Sequence, residues 1–142
     1  MKTPYSESPV ITTTVRVVAP FALTYGIFVT LHGADSPGGG FQGGVIAASV
    51  FVMIAFAFGI GPTRDWVDER VLLALFVSGV VGFAGVTLAA VFLGGSALEL
   101  GVFPVAIKWS IEAIEVAIGA IVTGVVTGLF FLLGQDRGGE KE

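Results

Sequence analysis

Long apolar runs alternate with short polar segments along the chain, and this pattern predicts its fold class. Four runs each reach at least the roughly 18 residues that a helix needs to cross a hydrocarbon core about 30 Å thick. They lie near residues 10–31, 43–60, 71–93 and 111–133. Charged residues fall almost wholly outside the runs, with Arg16, Glu112 and Glu115 near span ends as the exceptions. The pattern predicts an all-α polytopic membrane protein with four transmembrane helices.

The composition supports the same fold class. Of the 142 residues, 54% are hydrophobic and 13% are charged, and the mean hydropathy of +0.93 lies far outside the range of soluble proteins. The first apolar run lacks the basic region and small-residue cleavage pattern of a signal peptide, so we expect the mature chain to keep it as a span. Residues 1–142 are predicted to form a single membrane domain.

Lysine and arginine are distributed unequally between the two predicted sides of the membrane. Only Lys108 falls on one side, and the other side carries Lys2, Arg16, Arg64, Arg70, Arg137 and Lys141. Cytoplasmic segments are the ones enriched in these residues, so both termini are predicted to be cytoplasmic. The segment between the first two spans and the loop that carries Glu99 would then face outward.

The segment between the first two spans, residues 32–44, reads HGADSPGGGFQGG and holds six of the chain's 21 glycines. Glycine leaves such a backbone free to take positive φ angles and to pack without side chains. Non-helical backbone at a bilayer is tolerated only where protein or water meets its open N–H and C=O groups. This glycine-rich loop therefore predicts neighbouring proteins.

Small residues on the last two runs predict close contacts between helices. The third run has a stripe at Ser78, Gly79, Gly82 and Gly85, and the fourth repeats small residues at Ala120, Gly124 and Gly128. Residues spaced three or four apart share one helix face, and small side chains let another helix backbone approach that face.

The fourth run begins with carboxylates, which are costly inside a span unless they are paired, protonated or solvated. Lys108, Glu112, Glu115 and Gly119 recur at steps of four, three and four, so they share one helix face. Lys108 is predicted to neutralise Glu112, and Glu115 needs a partner from elsewhere in the structure. Two interpretations remain open for these acids: a place on or beside an ion path, or a structural or solvated role at the interface.

The only histidine, His32, lies at the mouth of the first span close to Asp35. One interpretation is that the two pass protons or help to bind a cation. The other is that His32 is a hydrogen-bonding anchor that fixes the loop.

Several classes of function lack their residues in this chain. Without cysteine there is no disulfide, thiolate metal site or c-type haem attachment. The glycine-rich loop has no GK[ST] ending and no preceding strand, which argues against nucleotide binding, and neither HExxH nor GxSxG is present. We therefore expect no enzyme activity, no cofactor, no metal and no nucleic-acid partner.

The loop also carries a specific motif. The stretch from Pro20 to Ser49, and above all H-G-x-x-SPGGGFQGG-V at His32, Gly33, residues 36–44 and Val45, resembles the MnhB domain, the B subunit of Mrp-type multisubunit cation/proton antiporters. The same module occurs in related membrane-bound hydrogenases. The nine motif residues are Ser36, Pro37, Gly38, Gly39, Gly40, Phe41, Gln42, Gly43 and Gly44.

This resemblance implies a small non-catalytic subunit in an assembly whose large subunits resemble the proton-pumping subunits of respiratory complex I. Such an assembly is embedded in the lipid of a prokaryotic plasma membrane, and within it cations, chiefly Na⁺, exchange for H⁺. Our first hypothesis is that the chain lines or supports the cation route. Glu115, Glu112 and Lys108 would belong to the ion path, His32 and Asp35 to the outward mouth, and the glycines, Pro37 and Phe41 would shape the loop.

Three alternatives compete with this hypothesis. The same module could serve a redox-driven complex of the hydrogenase type, in which electron transfer drives the ion flow. It could instead be a purely structural bundle that binds lipid and fills space between pumping subunits. A stand-alone dimeric exporter would need an acid in mid-span, and the acids here lie near an end.

Overall fold

The computed structural model describes residues 8–136, and over this range the chain folds into five α-helices and one 3₁₀ turn. The helices are α1 (Pro9–Leu31), α2 (Gly40–Phe58), α3 (Ile60–Trp66), α4 (Glu69–Phe92) and α5 (Ile107–Asp136), and the turn is Leu100–Val102. α1, α2, α4 and the Ile107–Gly134 part of α5 are each long and apolar enough to cross a membrane. The predicted all-α, four-span fold is confirmed. The termini lie outside the described residues, so their cytoplasmic location stays a prediction.

The four long helices pack in the order α1, α2, α5 and α4. Val15 and Ala19 of α1 pack against Val50 and Ala57 of α2. A second cluster joins α2, α4 and α5 through Ala55, Leu72 and Phe131. The two outer helices leave most of their surface uncovered, and only 11% of the most apolar stretch of α4 is buried. Such uncovered apolar faces suit a helix that meets lipid or another membrane protein.

The start of α2 is wedged between α1 and α5 at two adjacent glycines. Gly43 faces Gly26 and Thr30 of α1 so closely that a methyl group in its place would overlap the Thr30 hydroxyl. Gly44 faces α5, where a methyl group would lie 2.8 Å from the carbonyl oxygen of Gly119. Any larger residue at either position would force the helices apart.

The predicted helix contacts at small residues are confirmed in part. A methyl group at Gly79 of α4 would lie 2.6 Å from the carbonyl oxygen of Ala117 in α5, and one at Gly124 of α5 would lie 3.0 Å from that of Leu72 in α4. These glycines mark the crossing of α4 and α5. Gly85 and Gly128 face open space instead, with no other atom within 4 Å of such a methyl group among the described residues.

The predicted glycine-rich loop, residues 32–44, is too long. Residues 40–44 belong to α2, which begins at Gly40, and the Gly43 amide donates to the Gly39 carbonyl oxygen at 2.9 Å. Gly39 precedes the helix with a φ of 144°, a conformation that residues with a side chain rarely adopt. Packing of the helix start against α1 and α5 outweighs the poor helix propensity of glycine. The loop itself spans residues 32–39.

The polar segment between the second and third predicted spans is not wholly a loop, because Ile60–Trp66 forms the short helix α3. Pro62 lies in the first turn of α3, where a missing amide hydrogen costs no helical hydrogen bond. The Thr63 hydroxyl donates to the carbonyl oxygen of Gly59 at 2.7 Å. Asp68 then caps α4 by accepting a hydrogen bond from the Arg70 amide at 2.9 Å. Local hydrogen bonds thus extend helical structure into this polar segment.

Candidate functional site

The Glu115 carboxylate lies directly under the glycine-rich loop. A methyl group at Gly33 would overlap this carboxylate, and one at Gly39 would lie 2.9 Å from its Oε1 atom. At Gly40, a methyl group would overlap the main-chain carbonyl of Glu115. The loop backbone therefore closes over α5 at this residue, and glycine leaves the room that the acid occupies. The neighbour that Glu115 required is the loop of its own chain.

Glu112 lies one turn before Glu115 and is more deeply buried, with 8% of its surface exposed. Both of its carboxylate oxygens, and Oε2 of Glu115, are buried without a hydrogen-bond partner among residues 8–136. A buried carboxylate without a partner is strongly destabilising as an anion, so such a group calls for a proton, an ion or water.

Lys108 does not neutralise Glu112, so that prediction is wrong. Its Nζ atom forms an ion pair with the carboxylate of Asp35 in the loop, and the two side chains are 48% and 49% exposed. The long lysine stem in the first turn of α5 reaches across to a residue 73 positions away in sequence. Helical spacing alone does not reveal such a partner. The ion pair ties the loop to α5 close to the two glutamates.

His32 follows the last residue of α1 and fixes the loop through its backbone. Its carbonyl oxygen accepts hydrogen bonds from the amides of Asp35 at 3.1 Å and Ser36 at 2.9 Å, and from the Ser36 hydroxyl at 2.9 Å. The imidazole is exposed and stacks on Phe28, with 4.1 Å between ring centroids. The anchoring interpretation of His32 therefore applies to its main chain, and a role of the ring in ion passage stays a prediction.

The remaining motif residues divide between packing and exposure. Gly38 is partly covered by Val29 of α1, and Gly43 and Gly44 form the helix contacts described above. Pro37, Phe41 and Gln42 are exposed, with Phe41 at 60%. The outer side of the loop and of the first turn of α2 is thus uncovered within the described part of the chain.

Two threonines at the same helix crossing were missing from the sequence-based candidates. The Thr123 hydroxyl lies 2.7 Å from the carbonyl oxygen of Gly119 and 3.2 Å from that of Gly44. The Thr30 hydroxyl donates to the carbonyl oxygen of Gly26 at 3.0 Å. In each case the threonine follows a glycine by four residues, and this repeated G-x-x-x-T spacing is the signal that could have identified them.

These threonines also line a cleft of about 350 Å³ in which α1, α2 and α5 meet. Its other walls are largely apolar and include Leu23 of α1, Phe51 of α2 and Val116 of α5. Val116 directly follows Glu115, so the cleft begins beside the turn that carries the acids and extends into the body of the spans.

Comparison with known proteins relates the chain to one family. The family described as a domain related to the MnhB subunit of Na⁺/H⁺ antiporter matches residues 10–129. An uncharacterized protein of Methanocaldococcus jannaschii is 39% identical over 70 residues, which are 49% of this chain and 26% of that protein. A Staphylococcus aureus protein provisionally named antiporter subunit mnhB2 is 34% identical over 68 residues, which are 46% of this chain and 48% of that protein. The matches thus span about a quarter and about half of these relatives.

Proposed function

The chain belongs to the MnhB domain family, and from that premise we propose that it is a membrane subunit of an Mrp-type multisubunit Na⁺/H⁺ antiporter. It works in the prokaryotic plasma membrane, among large subunits that resemble the pumping subunits of respiratory complex I. It has no catalytic activity of its own. The uncovered faces of α1 and α4 and the exposed outer side of the loop support a place among other membrane subunits.

The role that we propose within the assembly is to line the cation route at Glu115 and Glu112. The observation that carries this role is that Glu112 is buried and the Glu115 carboxylate is partly buried against the glycine-rich loop, with no ion pair to either acid in the described part of the chain. His32 and Asp35 are exposed on that loop, where they would form the outward mouth, with Lys108 beside them. Acids held in a span near its end are suited to pass ions to water at that end.

Replacing Glu115 by glutamine in the assembled complex tests this role. The substitution keeps the size of the side chain and removes its charge. We expect sodium-dependent proton exchange in inverted membrane vesicles to fall by about tenfold or more, equivalent to losing at least about 1.4 kcal/mol of ion binding. Glu99→Gln is the matched control, because Glu99 is exposed on the other loop at the same end. Unchanged exchange by an intact Glu115→Gln assembly would remove Glu115 from the route.

A second candidate function is a purely structural subunit that holds pumping subunits together. The observation in its favour is that Gly33, Gly39, Gly40, Gly43 and Gly44 each make room for atoms of a neighbouring segment, so packing alone accounts for much of the motif. This alternative predicts that Glu112→Gln, Glu115→Gln and His32→Gln leave ion flux unchanged. It also predicts that Gly44→Ala prevents co-purification of the other subunits.

A further inference from the structure

Glu112 and Glu115 lie on one face of α5. They are three residues apart in the helix, Glu112 is buried, and Glu115 is partly buried. Neither forms an ion pair within residues 8–136, because Lys108 is engaged by Asp35 and Arg64 by Glu69. Three of the four carboxylate oxygens are buried without a hydrogen-bond partner in that range. Two such groups cannot both be ionised at low dielectric without a compensating cation.

We propose that Glu112 and Glu115 form a single exchange site that holds either one shared proton or one alkali cation. In the first state one carboxyl is protonated and the other is ionised. In the second state both are ionised and the cation lies between them. When the cation arrives, the shared proton leaves, and both states carry the same net charge. The swap therefore brings no additional charge into the membrane.

The loop covers this site on the side of α1 and α2. Gly33 and Gly39 lie against the Glu115 carboxylate, and the ion pair between Lys108 and Asp35 holds the loop down next to it. An ion that enters from this end has to pass the covered edge.

Few other charges act on the pair. Among residues 8–136, the ionisable groups at this end are Asp35 and His32 on the loop, Lys108 on α5 and Glu99 after α4. α2 has no ionisable side chain. The ionisable residues of α1 are Tyr25, which is exposed, and Arg16, which lies over the ring of Phe58 at the opposite end. Those of α4 are confined to its opposite end, at Glu69 and Arg70. No cationic side chain within residues 8–136 forms an ion pair with either acid, so a proton, a cation or water has to compensate them.

The inference rests on the proposed function for its biological setting, but its test needs only the full chain. The purified chain in lipid nanodiscs, in weakly buffered solution with a pH indicator, is titrated with sodium chloride and, as the reference, with choline chloride. We expect sodium to release a proton that choline does not release. Because the ions compete for one site, the half-saturating sodium concentration should fall about tenfold for each unit of rising pH, over the range in which the pair holds its proton.

Variants at the two glutamates then test whether the released proton comes from this pair. Glu112→Gln and Glu115→Gln should each raise the half-saturating sodium concentration by about tenfold or more, comparable to losing a group that supports a bound ion. The double variant should release no proton, and Glu99→Gln should behave as the unaltered chain. Circular dichroism checks that every variant keeps its helices.

Two results would overturn the proposal. The first is that sodium releases no proton from the unaltered chain, a result that needs no variant. The second is that sodium still releases a proton from the double variant. Flux through the assembly is a separate measurement. If the chain exchanges a proton for sodium while the assembly does not transport, the proposed function fails and the site stands. If the assembly transports sodium while the chain alone releases no proton, the exchange site fails and the proposed function stands.

Discussion

Lys108 and Asp35 form an ion pair in which both side chains are about half exposed. We expect Lys108→Gln to lower the free energy of unfolding by less than about 1 kcal/mol, since exposed ion pairs are screened by water and restrict two mobile side chains. Reversible unfolding in detergent measures this change. Asp35→Asn and the double variant complete a cycle that isolates the pair from other effects.

The pairing predicted from helical spacing implies a clearly larger loss in the free energy of unfolding. If Lys108 neutralised Glu112, as helical spacing predicts, its loss would leave a buried carboxylate uncompensated and cost about 3–5 kcal/mol. A loss of that size, with little effect of Asp35→Asn, would restore the pairing predicted from the sequence.

The residue types at the site could be identified from the sequence, but their partners could not. Glu115 in an apolar run signals a need for a neighbour, and the spacing correctly places Gly119 on the same face, where a methyl group would meet Thr30 of α1. Gly33 and Glu115 are in contact although they lie 82 positions apart in the sequence. Local periodicity carries no information about such a pair, so the cover over Glu115 emerges only from the packed helices.

At the level of helices, the crossing of α4 and α5 depends on Gly79. Gly79→Ala should destabilise the chain by about 1–3 kcal/mol, because the new methyl group would lie 2.6 Å from a carbonyl oxygen of α5 and force the helices apart. Gly85→Ala is a control on the same helix, since Gly85 faces open space. It should be neutral or stabilising by up to about 1 kcal/mol, because alanine favours helix more than glycine does.

Unfolding in detergent compares the two variants. Equal destabilisation by both would mean that the close approach at Gly79 adds no specific cost, and equal stabilisation would mean that helix propensity decides both positions. Thermal unfolding of the same pair provides a second reading, with the lower midpoint expected for Gly79→Ala.

Hydropathy predicted the existence and order of the spans, because the length and apolarity of a run are properties of the local sequence. It placed the start of the second span at residue 43, although α2 begins at Gly40. It also missed α3. Both errors have the same physical origin: contacts with other helices and local hydrogen bonds stabilise helix where glycine, proline and polar residues oppose it. The G-x-x-x-T spacing was available in the sequence, but its meaning depends on which helices cross there.

At the scale of the whole molecule, the order α1, α2, α5, α4 places the acids on an inner helix and leaves the outer helices uncovered. The chain thus presents broad apolar faces on either side of a site that is compact and covered by its own loop. In an assembly, those faces offer contact area to lipid and to other subunits without requiring any change at the acids. This arrangement of the helices suits the proposed subunit, whose ion site would be built within one chain and whose position in the assembly would be set by other subunits.

The orientation of the molecule decides which side of the membrane the acids serve. Asp65 and Ala97 are exposed just beyond opposite ends of α4, whose 24 residues span about 36 Å, more than the hydrocarbon core of about 30 Å. Because the chain has no cysteine, Asp65→Cys and Ala97→Cys each introduce a unique label site. The charge distribution predicts that an impermeant maleimide labels Ala97→Cys on intact cells and labels Asp65→Cys only after permeabilisation.

The reverse labelling pattern would mean that the chain has the opposite orientation in the membrane. The proposed ion site would then face the opposite side. Glu115 lies in the third turn of α5, whose start follows the loop that contains Ala97, so the acids share that end of the molecule. Outward exposure of Ala97 would make the buried pair the last site that a sodium ion leaves on export, or the first that it meets on entry. Inward exposure would assign the same acids, and the loop over them, to the cytoplasmic mouth.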